Sequence, residues 1–287
     1  MRFFLTVLAL LIASRISAQL SVGSNGMTIL AGTSVSIDGL TLTPTANVTV
    51  ANNSIQKINS PGAGSPNGSI GRAYRFGSPL AFSGTLRLQY LTTELNGGNE
   101  SGLQLAYSSA ENGPFTIVTG STVDASNNLV SNSISNKSLF VVTAAVLPDL
   151  SPILYARPSI QYGPTSFGLV VDVFELNSVA TSGSFTVRIN KDPKVPFSFQ
   201  PNATSVAGRS VQNSAWSFDA SDEDYYILTT SQSVAAGNVL SFGLTGVLNP
   251  GATSGVLSFN SLVLPGTLVE SNLTNNIDAD KVDYFQQ

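Results

Sequence analysis

Apolar residues in this chain recur at every second position, in short runs broken by Asn, Gly and Pro. Leu86, Leu88 and Tyr90 alternate with Thr85, Arg87 and Gln89; Phe185, Val187 and Ile189 alternate with Thr186, Arg188 and Asn190. Successive side chains of a strand point to opposite faces, so this period predicts strands with one face buried and one wet. Segments 40–42, 48–50, 103–107, 140–142, 226–228, 240–244 and 256–259 read the same way. Between them lie turn clusters such as Asn96-Gly97-Gly98-Asn99, Glu111-Asn112-Gly113-Pro114, Asn127-Asn128 and Asn249-Pro250-Gly251. These residues tolerate the positive φ, or preset the φ, that tight turns demand. No run of ten or more residues keeps a helical period. The pattern predicts an all-β chain of two tandem antiparallel β-sandwiches.

The first residues are of another kind. Met1-Arg2 is followed by an apolar run from Phe3 to Ala13, and Ile16-Ser17-Ala18 precedes Gln19. A basic start, a short apolar stretch and a small residue at the cut make residues 1–18 a secretion signal, and predict an extracellular or cell-surface protein. No later apolar run reaches membrane-spanning length. With 287 residues the chain holds two domains of ordinary size after the leader. The boundary is expected near 144–150, giving 19–146 and 147–287. The run from Phe167 to Phe174 is apolar at nearly every position and predicts a strand covered on both faces. Pro152 and Pro158 mark an edge strand. Residues 60–69, rich in Gly, Ser and Pro, form an exposed loop.

Composition removes several function classes. The chain has no cysteine and no histidine. It therefore has no disulfide scaffold, no thiolate nucleophile and no imidazole for a Ser-His-acid triad. Charged residues make up only 10% of the chain, and polarity comes from 40 Ser, 24 Thr and 23 Asn. Formal net charge is −4, and loss of Arg2 and Arg15 with the leader makes it −6. Residues 19–146 balance five basic against five acidic side chains, whereas 147–287 carry six and twelve. Nucleic acid and anionic membranes need a basic patch, so neither is expected as a partner. None of Lys137, Lys191, Lys194 and Lys281 sits in a Ser-x-x-Lys setting.

Two constellations remain. Asp219, Asp222, Glu223 and Asp224 lie within six residues, and Asp278, Asp280 and Asp283 within another six. Clustered loop carboxylates supply the oxygens that calcium takes, so the first group is a candidate calcium site. Neither group fits the twelve-residue loop signature, and the competing reading is a solvated acidic loop and a charged tail. Trp216 stands just before a strand as a core anchor. Tyr225 and Tyr226 face opposite ways, and Phe197 and Phe199 share one face. The sites Asn47, Asn52, Asn67, Asn99, Asn136, Asn202 and Asn272 fit Asn-x-Ser/Thr as the coincidence of an Asn- and Ser-rich chain.

Pro148-Asp149-Leu150, the long apolar strand running into Asn177 with its small-residue sequel 179–183, and the closing Glu270, Asn272, Asn275 and Asn276 occur in this order. In these residues the C-terminal half resembles the cell-adhesion-related domain found in bacteria (CARDB). That resemblance covers about 130 residues and implies an immunoglobulin-like sandwich working in surface adhesion or assembly; such analogy concerns fold. The acidic stretch 221–224 is a departure from the pattern. The first half, through Gly39-Leu-Thr-Leu-Thr-Pro44, Phe82-Ser-Gly-Thr85 and Tyr90 to Asn96, is similar to leader-proximal sandwiches of secreted proteins from gliding, polymer-degrading bacteria. Its strand series ending at Phe140 is similar to the sandwich beside death domains and in netrin receptors. Proteins of this kind often end in a C-terminal sorting domain, which the eleven residues after Asn276 do not supply.

The reading is an exported, non-catalytic surface-interaction, adhesion or spacer protein, meeting other surface proteins or extracellular polysaccharide. The alternative is a carbohydrate-binding accessory module of a polymer-degrading system, which predicts exposed aromatics on one sandwich face. A glycoside hydrolase would need two carboxylates flanking a glycosidic oxygen, and no motif marks such a pair.

Overall fold

The computed structural model describes residues 19–286; residues 1–18, expected from the sequence to be a secretion signal, lie outside the described residues. Those residues form strands and three short 3-10 turns, arranged as two β-sandwiches in tandem, the second immunoglobulin-like.

The first unit is built on one continuous nine-stranded sheet, with Met27–Ile29 and Val48–Val50 paired as a separate two-stranded ribbon. Its spine is a pair of long antiparallel strands, Ser69–Gln89 and Leu129–Val146. One half of the first spine strand pairs with Asn53–Ile58 and the other with Leu40–Pro44. Its partner strand likewise takes Leu103–Ser108 at one half and Thr122–Asp124 at the other. Between these halves the register slips at Ile134/Lys137 and again at Leu139/Val141. Such bulges bend a strand pair. Gly84 lies at the bend with φ +151°, and a Cβ there would run into the backbone of Thr43 and Pro44. The sheet thus closes over its own core, which joins Leu40, Leu42, Ile55, Tyr74, Phe76, Leu88 and Leu105. Leu86, Leu88 and Tyr90 are buried as their period predicts, while Arg87 and Gln89 are exposed. The two spine strands are longer than the sequence pattern predicts, because bulges interrupt the alternation.

The second unit packs a four-stranded sheet on a six-stranded one. The four strands, in spatial order, are Leu150–Arg157, Thr165–Glu175, Val239–Leu248 and Phe197–Phe199. The six are Ile160–Tyr162, Ile277–Phe285, Gly255–Pro265, Phe185–Asn190, Tyr225–Thr230 and Ser217–Asp219. One pair, Ile160–Tyr162 with Ile277–Phe285, is parallel, a departure from the antiparallel expectation. The second acidic group, read as a charged tail, belongs to this last strand.

The apolar strand Thr165–Glu175 is central, as its composition predicts. Its inner face joins the main core through Phe167, Leu169, Val171 and Val173. Its outer face is covered by a strap: Val170 packs against Val206 and Val211. Asp172 on that outer face ion-pairs with Arg209 of the strap and accepts the Ser241 hydroxyl at 2.6 Å. The Arg209 guanidinium in turn lies 3.6 Å over the Tyr155 ring.

The edge strand Leu150–Arg157 has every second N–H turned away from its neighbour. Leu150 N–H donates to Glu270 (3.2 Å), Leu154 N–H to Asp278 (2.8 Å) and Ala156 N–H to Asp280 (3.0 Å). Pro152, which has no N–H, falls at the second position of the same set, between Leu150 and Leu154. A strand edge with unpaired donors templates aggregation, and carboxylates and proline here use it up.

Candidate functional site

The residues of the Pro-Asp-Leu and Glu…Asn-Asn segments converge where the two sandwiches meet. Glu175 closes the central strand and is 2% exposed. Its carboxylate accepts four backbone N–H groups: Asp149 (3.4 Å), Asn177 (2.9 Å), Val179 (3.1 Å) and Gly237 (2.8 Å). Hydrogen bonding of this kind lets a carboxylate be buried without a counter-ion. Asn177, 3% exposed, donates through its amide to Leu147 O (2.9 Å) and to Ser271 Oγ (2.8 Å). Its backbone carbonyl accepts Asn99 N–H of the first sandwich at 2.9 Å, and Leu147 N–H donates to Gly102 O at 3.0 Å.

Packing follows the same seam. Val179 of the second unit belongs to the first unit's core. It rests against Gly68, where a Cβ would meet its Cγ1 at 3.0 Å. A Cβ at Gly102 would strike the Asn177 amide and approach Leu147 O to 3.1 Å. Two glycines of one sandwich therefore admit an Asn and a Val of the other.

Two further acids lie beside this lock. Asn275 Nδ2 donates to Asp149 at 3.1 Å, and the Asn276 amide donates to Glu270. Burial pushes both carboxyl groups above the ordinary carboxylate range; their asparagine partners only partly offset it. The side-chain oxygens of Asn275 and Asn276 are buried without a hydrogen-bond partner.

The Asp219, Asp222, Glu223 and Asp224 loop is arranged differently. Asp219 accepts Ser221 N–H at 2.8 Å, which with the Ser221 hydroxyl lowers its pKa. Asp222 accepts the N–H groups of Asp224 and Tyr225, both at 2.9 Å. The Lys191 ammonium donates to the carbonyls of Ala220 (2.7 Å) and Asp222 (2.5 Å). Glu223 and Asp224 are exposed. Among the described residues no group of three or more Asp, Glu, His or Cys side chains gathers in a metal-holding arrangement.

Trp216 is buried and meets Phe185 and Phe242 edge-on at 5.5 and 4.8 Å. Phe197 is buried and Tyr226 is too, while Tyr225 is 40% exposed. Of the aromatics weighed as a ligand platform, Trp216 and Phe197 are core. A trough of about 740 Å³ lies on the outer face of the four-stranded sheet beside the strap. Gly168, Thr245, Ser198, Arg157, Ala207 and Val247 are among the residues that line it.

No family model matches the chain, and no curated protein matches it. Among solved structures it is similar to a CARDB domain from Pyrococcus furiosus, determined in complex with di-metal ions. That alignment has 17% identity and a TM-score of 0.29, over 49% of this chain and 96% of that one. The full-length major pilin SpaD of Corynebacterium diphtheriae aligns at 11% identity and a TM-score of 0.34, over 73% of this chain and 59% of the pilin. The collagen-hug surface protein ACE of Enterococcus faecalis aligns at 8% identity and a TM-score of 0.25, over 81% and 89%. Likeness at this level carries nothing about activity, and the architecture stands on the chain's own strand pairing. Among the described residues no helix is long and apolar enough to cross a membrane.

Proposed function

We propose that the chain is an exported, non-catalytic contact module, two sandwiches held as one unit, that meets other surface proteins or extracellular polysaccharide. The observation that carries this reading is where the buried polar residues are spent. Glu175, Asn177 and Glu270 are committed to backbone groups and to each other's neighbours at the seam. Such a network fixes geometry rather than activating a substrate. The six-stranded sheet and the trough by the strap remain as outward surfaces, and sandwich surfaces of this kind receive partners through loops and edges.

The polysaccharide arm of this reading leans on the trough and on Tyr225, with Arg188 5.9 Å over its ring. Presenting the chain from Gln19 onward to fixed bacterial cells, extracellular protein preparations and a panel of glycans tests the function. Retention on one of these without product formation is expected. Release of sugar or acid from a glycan or ester substrate by the pure protein would overturn it.

A further inference from the structure

The edges of the second sandwich are not treated alike. Leu150–Arg157 is guarded by Asp278, Asp280 and Pro152. The Ile160–Tyr162 strand at the edge of the six-stranded sheet has no such guard. Hydrogen bonds from Asp283 N–H to Ser159 O and from Gly163 N–H to Phe285 O, both 2.9 Å, turn residues 159, 161 and 163 towards the neighbouring strand. Backbone groups alternate along a strand, so those of Ile160 and Tyr162 face outward. Among the described residues none of these four groups takes part in an intramolecular hydrogen bond.

The side chains beside this edge are apolar and in the open. Ile160 is 53% exposed, Tyr162 61%, Val256 58% and Phe285 41%. Tyr162 and Phe285 stack with ring centroids 5.2 Å apart. Gln161, between the two outward residues, is buried at 2% exposure and leaves the seam free of its polar head.

We propose that this edge pairs antiparallel with the same edge of a second copy of the chain, about a two-fold axis at Gln161. The arrangement is self-complementary. Ile160 of each copy falls opposite Tyr162 of the other, and the four outward backbone groups of each copy make four inter-chain hydrogen bonds. Both cross-strand pairs are apolar with aromatic, which suits a sheet seam. A second copy brings no opposed charges together at the edge: Asp283 is the one acid aligned with it, in register with Ile160. The two-fold sets each copy's Asp283 two strands beyond the other copy's Ile160, in the other row, so the two carboxylates are not opposed. The product is a continuous sheet twice the width, with both Tyr162–Phe285 stacks flanking the seam. A seam this short belongs with weak, reversible interfaces of under about 1,200 Å².

Sedimentation velocity of the chain from Gln19 onward, over a range of concentration, reads the association directly. A reversible dimer is expected, and Tyr162→Lys or Ile160→Lys should weaken it by about tenfold or more. Both side chains are exposed, so neither lysine threatens the fold. The absence of cysteine gives a second readout. Paired residues across an antiparallel seam lie within disulfide reach. A mixture of the single variants Ile160→Cys and Tyr162→Cys should cross-link as a heterodimer, in preference to either variant alone. A chain that stays monomeric at every concentration, a dimer indifferent to both lysines, or preferential homodimer cross-links would each overturn the proposal. Monomer alone with capture of a foreign extended peptide at this edge would do so as well, and would assign the edge to another partner.

Discussion

Asn177 of the second sandwich donates its side-chain amide to the carbonyl oxygen of Leu147, at 2.9 Å, and so holds the segment that joins the two units. The same residue accepts Asn99 N–H through its backbone. Replacing Asn177 with Ala removes two buried side-chain bonds and strands the Leu147 carbonyl. The expected cost is about 2–3 kcal/mol, read as a lower denaturation midpoint in urea. A variant as stable as wild type would show that the amide holds nothing.

Acid should favour the folded chain at this seam. Burial raises the carboxyl groups of Glu270 and Asp149 in the folded protein. A raised folded value means the folded state binds protons more tightly than the unfolded one. The stabilisation is then complete below the ordinary carboxylate range and is lost as pH rises through the folded values. Glu270→Gln carries a permanent neutral side chain, and its amide can serve the unpartnered Asn276 oxygen. Melting curves taken between about pH 4 and pH 7 should therefore show a smaller loss with rising pH in the variant than in wild type. Identical slopes would remove Glu270 from the linkage.

The guarded edge makes its own forecast. Replacing Asp278 and Asp280 together with Ala leaves the N–H groups of Leu154 and Ala156 without acceptors and breaks the Arg157–Asp280 pair. The uncovered donors should cost ~1–3 kcal/mol each where water cannot reach them. Light scattering during refolding should rise, because the edge becomes a template. Unchanged scattering would mean the carboxylates do not act as guards.

In the 219–224 loop, the Lys191 ammonium already bonds the carbonyls of Ala220 and Asp222. The melting temperature is expected to be the same in calcium and in a chelator. A fall with chelator, restored by calcium, would make Asp219, Asp222, Glu223 and Asp224 a stabilising metal site after all.

How far the sequence could be read depended on the range of the interaction. Period-two alternation located Leu86–Leu88–Tyr90 and the Phe185 strand because it is local. The central position of the Phe167 strand was legible from its lack of an exposed face, although Asp172 is answered by Ser241 and Arg209, both far along the chain. The full length of the spine strands is not legible in the sequence, because bulges near Asn136 break the alternation. For Glu175, the only local signal is a lone carboxylate ending an apolar strand. Asp278 and Asp280 read as a solvated tail, since nothing local reveals that they cap N–H groups 124 residues away. Asn177, Glu270, Asn275 and Asn276 stood out as a pattern; their meeting at Leu147, Asp149 and Leu150 is a product of the fold.

Differential scanning calorimetry of the chain from Gln19 onward, alone and with Gly102→Ala, tests the coupling of the two sandwiches most directly. A Cβ at position 102 strikes the Asn177 amide and comes within 3.1 Å of Leu147 O, both at the seam. One cooperative transition is predicted for the wild type, splitting into two in the variant as the units unfold independently. Two well-separated transitions already present in the wild type would contradict the account.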